Sequence, residues 1–141
     1  MIERIFLYDD RRGELPDLKE LSRYIILHFP EVKVEIKPFI ERRRSGTDIE
    51  GLARKFLSAR VVDINKKVDA QSASKQEGFL PGELEYEIER LKNSAKSSYG
   101  IIYDGFEFLN IFKEIIPVEN LKFDFTSLLF TNQLLGTFSD D

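Results

Sequence analysis

Apolar and polar positions alternate along the chain in short segments, some with the spacing of strands and others with that of helices. Residues 4–8 are largely apolar and residues 9–13 (DDRRG) have the composition of a turn, which predicts a buried strand. A helix follows, with Asp17 as its N-cap, Glu20 completing an Asp form of the capping box, and Pro30 ending it. The apolar face of this predicted helix comprises Leu18, Leu21, Tyr24, Ile25 and His28.

The next segments extend this opening. Residues 32–36 alternate valine and isoleucine with charged residues, which is typical of a half-buried strand and completes a β-α-β unit. Thr47 and Glu50 form a second capping box ahead of a strongly amphipathic helix. Its apolar stripe comprises Ile49, Leu52, Ala53, Phe56 and Leu57. Residues 60–64 (RVVDI) are a candidate third strand.

A polar interval separates the two halves of the chain. Residues 66–80 are mostly polar and small and have no periodicity, so we expect a mobile surface loop. Pro81 then fits the first position of a helix through ELEYEIERLKNSAK. The apolar stripe of that helix comprises Leu84, Ile88, Leu91 and Ala95.

The most apolar part of the chain lies between residues 99 and 138 and should supply the centre of the core. Residues 99–103 predict a fully buried strand that Asp104 and Gly105 end, and a largely apolar helix up to Pro117 follows. Residues 127–138 form the longest β-like run, in which Gly136 is a predicted bend or bulge.

This order of elements predicts an α/β fold with a four- to five-stranded mixed or parallel sheet and helices packed on it. The length of 141 residues fits one domain, residues 1–141, with residues 66–80 as its mobile loop. Hydrophobic residues make up 42% and charged residues 33% of the chain, as in soluble globular proteins.

Charge and cysteine content exclude several classes of function. The chain has no cysteine, which excludes disulfides, thiolate nucleophiles and cysteine-ligated zinc. It lacks a signal peptide and any apolar run long enough to cross a bilayer, so a cytoplasmic location without membrane attachment is expected. The net charge of −4 opposes nucleic-acid binding. A basic patch is conceivable from Arg42, Arg43, Arg44, Arg54, Lys55, Arg60, Lys66 and Lys67, but a solvated charged surface is the favoured interpretation.

Three aspartates follow predicted apolar strands and are the best candidate for chemistry. Asp9 and Asp10 end the first strand, and Asp104 ends the strand IIY. Ligands of open α/β sheets bind outside the carboxyl ends of the strands, and clustered carboxylates can hold Mg²⁺ or another divalent cation. The alternative is ordinary turn chemistry, in which the aspartates accept hydrogen bonds from nearby backbone N–H groups.

His28 is the only histidine, so the 141 residues contain neither a His-x-x-x-His zinc pair nor any other metal site with several histidines. Its place near the end of the first predicted helix favours a structural role, with the imidazole at a terminal carbonyl. The common phosphate-binding and nucleophile-elbow motifs are also missing from the sequence.

The segments FLYDD, VKVEIKPFI and residues 100–137 resemble a small archaeal family of uncharacterised metallopeptidase-like proteins related to the archaemetzincins. The resemblance covers about half of the chain and implies an α/β fold and a hydrolytic ancestry. The sequence has no H-E-x-x-H motif, so no zinc ligand can be transferred to any position, and no zinc site is expected within this chain. If the relatives carry their ligands further along, this chain is a truncated or reduced member.

These observations leave two hypotheses, and whether the protein is an enzyme stays open. The first is a non-catalytic binding or assembly module. The alternative is a carboxylate-dependent divalent-metal enzyme, for phosphoryl transfer or hydrolysis, that uses Asp9, Asp10 and Asp104. We also expect a homo-oligomer formed through the apolar C-terminal strand, because such a strand exposes an edge unless something covers it.

Overall fold

The fold is α/β, as predicted, and the five strands found among the described residues all pair in parallel. The structure, a computed structural model, describes residues 1–11, 16–40, 48–65, 80–93 and 101–137. The strands are β1 (Arg4–Asp10), β2 (Lys33–Pro38), β3 (Ile102–Asp104), β4 (Phe125–Thr131) and β5 (Leu134–Gly136). The helices are α1 (Leu18–His28), α2 (Ile49–Ser58), α3 (Glu83–Lys92) and α4 (Gly105–Ile115), with a 3-10 turn at Val118–Asn120.

The chain divides into two compact units, and each contains a parallel sheet. Unit 1 comprises Met1–Arg43 and Ile116–Asn132, and unit 2 comprises Arg44–Ile115 and Gln133–Asp141. Unit 1 contains a three-stranded sheet in the order β2-β1-β4, and unit 2 contains the pair β3-β5. The five strands of the described residues are therefore divided between two parallel sheets.

β1 is the centre of unit 1 because it has a strand on each side. Leu7 pairs with Ile36 of β2 and with Leu128 of β4, so these three residues form one row across the sheet. Phe6, Leu7 and Tyr8 are buried. A central strand of a parallel sheet is covered on both faces, which explains why β1 has an uninterrupted apolar run.

Helix α1 begins and ends where the sequence predicts, but its apolar face is less buried than expected. The Asp17 carboxylate accepts a hydrogen bond from the N–H of Lys19 at 2.8 Å, and the helix ends at His28. Of the predicted face only Leu18 is buried, whereas Tyr24 is 62% exposed and His28 is also exposed. The helix packs against β2, the edge strand, and one narrow strand cannot cover the whole stripe.

Unit 2 has an aromatic core built from three elements. Phe56 of α2, Tyr103 of β3 and Phe108 of α4 are almost fully buried. Their ring centroids lie 5.2–6.2 Å apart in edge-to-face arrangements. This geometry is the favoured one for aromatic pairs and holds both helices on the short strand β3.

Three details of unit 2 differ from the sequence predictions. The N-cap of α2 is Asp48, whose carboxylate accepts from the N–H of Gly51 at 2.8 Å, and not Thr47. Pro81 is not the first residue of α3, because Gly82 at φ +94° is the N-cap and the helix starts at the next residue. The candidate strand at residues 60–64 is reduced to an isolated antiparallel bridge between Arg60 and Tyr103, since the following residues form a bend and a turn.

The long β-like run at residues 127–138 is two strands, not one. The polar pair Asn132-Gln133 separates β4 from β5, and the two strands belong to different sheets. Gly136 ends β5 at a close approach: a Cβ there would lie 3.2 Å from Cγ2 of Ile102. The glycine therefore permits tight pairing with β3, and the predicted bend or bulge is wrong.

Some predicted features lie outside the described residues. They are the loop at residues 66–79, the arginine run 42–44, Lys66 and Lys67, Ala95, residues 99–100 and residue 138. In the parts of the chain that the structure does describe, no helix combines the length and the apolar character needed to cross a membrane.

Candidate functional site

The carboxyl end of β1 is the place in unit 1 where a ligand site of an α/β sheet is expected. From β1 the chain continues through α1 to β2 on one side, while β4 lies on the other side. The boundary between β1 and β4 is thus a switch point in the strand order, the position at which open parallel sheets bind ligands. Asp9 and Asp10 end β1, and Thr131 ends β4.

Asp9 forms a turn with Arg11, which lies two residues later. Its Oδ1 atom accepts hydrogen bonds from the backbone N–H of Arg11 at 2.9 Å and from the guanidinium Nε of Arg11 at 3.1 Å. The Arg11 side chain is buried, donates from Nη2 to the carbonyl of Pro16 at 3.1 Å and lies 5.3 Å above the ring of Phe130. Asp9 therefore has the turn role that the sequence offered as the alternative to metal binding.

Asp10 connects the two strands at the switch point. It is paired in register with Thr131, and its Oδ2 atom accepts a hydrogen bond from the Thr131 hydroxyl at 2.9 Å. The Asp10 side chain is buried, at 3% exposure. A buried carboxylate at a sheet's carboxyl end is the feature of unit 1 best suited to bind a cation or a polar ligand.

Asp104 caps a helix in unit 2. It ends β3, and its Oδ1 atom accepts a hydrogen bond from the N–H of Glu107 in the first turn of α4, at 2.9 Å. The residue is buried. Negative charge at a helix N-terminus is stabilised by the helix dipole and by the free N–H groups of the first turn.

The three predicted metal ligands thus belong to separate units, Asp9 and Asp10 to unit 1 and Asp104 to unit 2. In the ranges that the structure describes, neither unit gathers three or more histidine, aspartate or glutamate side chains in a metal-binding group. A shared divalent cation at Asp9, Asp10 and Asp104 remains a prediction.

His28 lies at the C-terminal end of α1 and is exposed to solvent. Its ring centroid is 4.4 Å from that of Tyr24, one helical turn earlier, with the two rings tilted by 55°. A zinc centre of the peptidase type needs three protein ligands, usually including several histidines. The 141 residues supply one histidine and no cysteine, so the donor set does not fit such a centre.

A buried ionic cluster in unit 2 was not predicted from the sequence. Glu87 of α3 is fully buried, and its carboxylate accepts from Nε of Arg60 and Nε of Arg90, both at 2.9 Å. The hydroxyl of Tyr103 donates to the same carboxylate at 2.5 Å. Arg60 also approaches Glu83, at 3.3 Å. The cluster connects the end of α2, the middle of α3 and strand β3.

The cluster is enclosed by aromatic rings. The guanidinium of Arg90 lies 4.8 Å from the ring centroid of Phe56 and 5.5 Å from that of Tyr103, and Arg60 lies 5.7 Å from that of Tyr86. Burial raises the pKa of Tyr103 well above its ordinary value, and the negative charge of Glu87 adds to this while the two arginines oppose it. Tyr103 therefore acts as a neutral hydrogen-bond donor, and the cluster has the character of a structural cross-link.

The sequence prediction found only part of the buried face of α3, because Leu91 of the predicted stripe is buried but the charged residues beside it were missed. The predicted stripe contains Leu84 and Ile88, which are half-buried, whereas Glu87 and Arg90 are buried next to Leu91. The signal that could have pointed to them is Tyr103, because a tyrosine within a buried strand needs a partner for its hydroxyl.

Those residues of the candidate basic patch that lie in the described ranges are paired with acidic side chains. Arg54 lies 2.7 Å from Glu50 one turn earlier on α2, Lys55 is paired with Glu114, and Arg60 belongs to the Glu87 cluster. Carboxylates next to these cations compete with the phosphates of a nucleic acid, which bind through the same contacts.

Comparison with known proteins identifies the family. The sequence matches the model of the "Probable metallopeptidase family (DUF6775)" over residues 1–141. No curated protein and no solved structure matches the chain. The match includes the segments that carried the resemblance to a metallopeptidase family and extends over the other half of the sequence as well. This chain therefore belongs to the probable metallopeptidase family.

Proposed function

We propose that this chain serves its family as a binding and assembly module, without a complete zinc-peptidase centre among its 141 residues. The observation that carries the proposal is the outer edge of β4. This seven-residue strand, FTSLLFT, pairs with β1 on one side and contains no charged residue and no proline. Natural proteins protect edge strands that are not meant to pair, so an unprotected edge supports a role in association.

The chemistry of the available metal ligands supports the second part of the proposal, that the 141 residues lack a complete zinc-peptidase centre. Hydrolysis by a zinc peptidase requires a metal-bound water and a carboxylate base beside it. The one histidine of this chain is an exposed side chain at the end of α1, next to Tyr24. The described residues thus offer surfaces for binding, while the donor set lacks the histidines that a peptidase centre would use.

The decisive experiment measures metal content and peptide cleavage on the same preparation. The chain would be purified from zinc-supplemented cells, analysed for bound metals, and assayed with a mixture of fluorogenic peptides. We expect no stoichiometric zinc and no cleavage that a chelator removes. Stoichiometric zinc together with chelator-sensitive cleavage would overturn the proposal, and loss of both in His28→Ala would identify the histidine as a ligand.

A second candidate function is a carboxylate-dependent divalent-metal enzyme using Asp9, Asp10 and Asp104. It is favoured by their placement, because each aspartate lies at the carboxyl end of a parallel strand and Asp10 and Asp104 are buried. Oxygen ligands of this kind suit Mg²⁺ and Mn²⁺, which would activate a water or a phosphoryl oxygen.

Titration calorimetry with Mg²⁺ and Mn²⁺ tests this candidate. If it is right, the wild-type chain gives a binding heat that Asp10→Asn removes, while Asp63→Asn, a change at an exposed aspartate, keeps it. The absence of any heat at millimolar metal would end the metal-enzyme candidate and leave the assembly module.

A further inference from the structure

The two edges of the three-stranded sheet in unit 1 are built differently. β2 has the sequence KVEIKP, in which lysine, glutamate and lysine alternate with apolar residues and proline ends the strand. β4 has the sequence FTSLLFT. Charged side chains and proline are the usual devices that prevent a strand edge from pairing with another chain. One edge of this sheet has both devices, and the other has neither.

The outer edge of β4 faces no strand among the described residues, since the order of the sheet is β2-β1-β4. The strand is seven residues long, about 23 Å at the usual rise per residue. At its middle, Leu128 is 42% exposed. A long, uncharged and partly exposed edge presents backbone donors and acceptors that another strand can satisfy.

We propose that β4 pairs antiparallel with β4 of a second copy of this chain, about a two-fold axis that passes through Leu128. This inference rests on the proposed role as an assembly module and names its partner. The result is a continuous six-stranded sheet formed by one isologous interface, the commonest symmetry of homo-oligomers.

The sequence of β4 is complementary to itself in this arrangement. With Leu128 opposite Leu128 of the partner subunit, the remaining pairs combine residues at equal distances on either side of the axis. These pairs are Ser127 with the partner's Leu129, Thr126 with the partner's Phe130, and Phe125 with the partner's Thr131. Pairs of an aromatic with a β-branched residue are among the favourable cross-strand pairs, and they occupy four of the seven positions because each occurs twice.

Self-complementarity favours a second copy over an unrelated peptide. A peptide gains the same backbone hydrogen bonds, but the symmetric aromatic and threonine pairs need a strand with the pattern of β4 itself. No pair in the proposed ladder brings like charges together, because β4 has no charged residue. The proposed interface therefore needs only the pairing of the two β4 strands about the axis, and no charged side chain has to be neutralised.

Two matched lysine substitutions test the proposal. Leu128 on β4 and Ile36 on β2 lie in the same row of the sheet, on either side of Leu7, and are 42% and 43% exposed. Leu128→Lys would place two like charges opposite each other at the axis, and we expect it to weaken dimerisation by about tenfold or more. Ile36→Lys makes the same change on the already charged edge and should alter dimerisation less than twofold.

Sedimentation equilibrium over a wide range of protein concentration measures both effects. A wild-type dimer that Leu128→Lys dissociates and Ile36→Lys preserves supports the proposal. A wild-type chain that stays monomeric at the highest soluble concentration overturns it, and so does a dimer that both substitutions weaken equally. Circular dichroism of each variant shows that the fold is retained.

Cysteine cross-linking tests the position of the axis. The natural chain has no cysteine, so Leu128→Cys introduces a single thiol that would lie opposite its own copy, within reach of a disulfide after mild oxidation. Ile36→Cys is the control. We expect rapid cross-linking of the first variant and little of the second; equal rates would exclude pairing through β4.

These experiments distinguish failure of the proposed dimer from failure of the proposed function. A monomer that also lacks zinc and peptidase activity removes the second copy as the partner and leaves a binding role intact. Zinc-dependent cleavage by a dimeric chain would remove the proposed function and retain the interface.

Discussion

Two buried carboxylates, Glu87 in unit 2 and Asp10 in unit 1, are held in different ways. Glu87 accepts hydrogen bonds from two guanidinium groups and a phenol that come from three different elements. Asp10 accepts from the hydroxyl of Thr131 on the neighbouring strand. The first carboxylate attaches helix α3 to Arg60 and Tyr103, which are joined to each other by a single backbone bridge, whereas the second adds to two strands that are paired along their whole length.

The difference indicates that the two carboxylates contribute differently to the stability of their units. A buried charge that is surrounded by charged partners is costly to disturb, since removing one partner leaves the others buried without compensation. A side-chain hydrogen bond between two strands that are already paired adds to stability only the free energy of one hydrogen bond. Glu87 should therefore dominate the stability of unit 2, while Asp10 can be altered with the sheet of unit 1 preserved.

The largest effect is expected for Glu87→Gln. The substitution keeps the shape of the side chain but leaves the guanidinium groups of Arg60 and Arg90 without its negative charge. We expect a loss of about 3–5 kcal/mol in the free energy of unfolding. Urea denaturation followed by circular dichroism measures it.

Glu85→Gln is the matched control, because Glu85 is an exposed residue of the same helix. It should change stability by less than about 0.5 kcal/mol. If Glu87→Gln costs no more than this control, the cluster is not the cross-link of unit 2.

The next effect is expected for Tyr103→Phe, which removes the hydroxyl that donates to Glu87 and keeps the ring in the aromatic core. A hydrogen bond to a charged group contributes about 1.5–3 kcal/mol, so a loss of this size is expected at neutral pH. Tyr24→Phe removes an exposed phenol and should cost almost nothing.

The pH dependence of the same variant sharpens this prediction. Burial raises the pKa of Tyr103 in the folded chain, so the folded state keeps a proton that the unfolded state loses above about pH 10. The contribution of Tyr103 is therefore fully present below pH 10 and declines as the pH rises further. The stability difference between wild type and Tyr103→Phe should stay constant up to about pH 10 and shrink as the pH rises above it, and a difference that grows would contradict the assignment.

The sequence predicts those features of the fold that depend on neighbouring residues. The apolar run of β1, the N-cap at Asp17 and the helix end before Pro30 are all local signals, and the structure confirms them. The α/β class follows from the order of such elements. The family resemblance likewise rested on contiguous segments and is confirmed for the metallopeptidase family.

The features that local patterns missed depend on distant partners. Glu87 is buried because Arg60, 27 residues away, and Tyr103, 16 residues away, converge on it. The apolar run at residues 127–138 divides because β4 pairs with β1 and β5 pairs with β3, a choice that the run itself does not encode. The alternation of charges in β2 indicated a half-buried strand, but only the strand order reveals that β2 is a protected edge.

The smallest effect is expected for Thr131→Val, which replaces the hydroxyl that donates to Asp10 with a methyl group of similar size. The buried carboxylate loses one donor while the pairing of β1 with β4 remains, so we expect a loss of about 1–2 kcal/mol. Thr126→Val makes the same change in a half-buried residue of the same strand and should cost less than half as much. Urea denaturation of the two variants at neutral pH gives the comparison. Equal losses would mean that the bond to Asp10 adds nothing beyond the strand ladder.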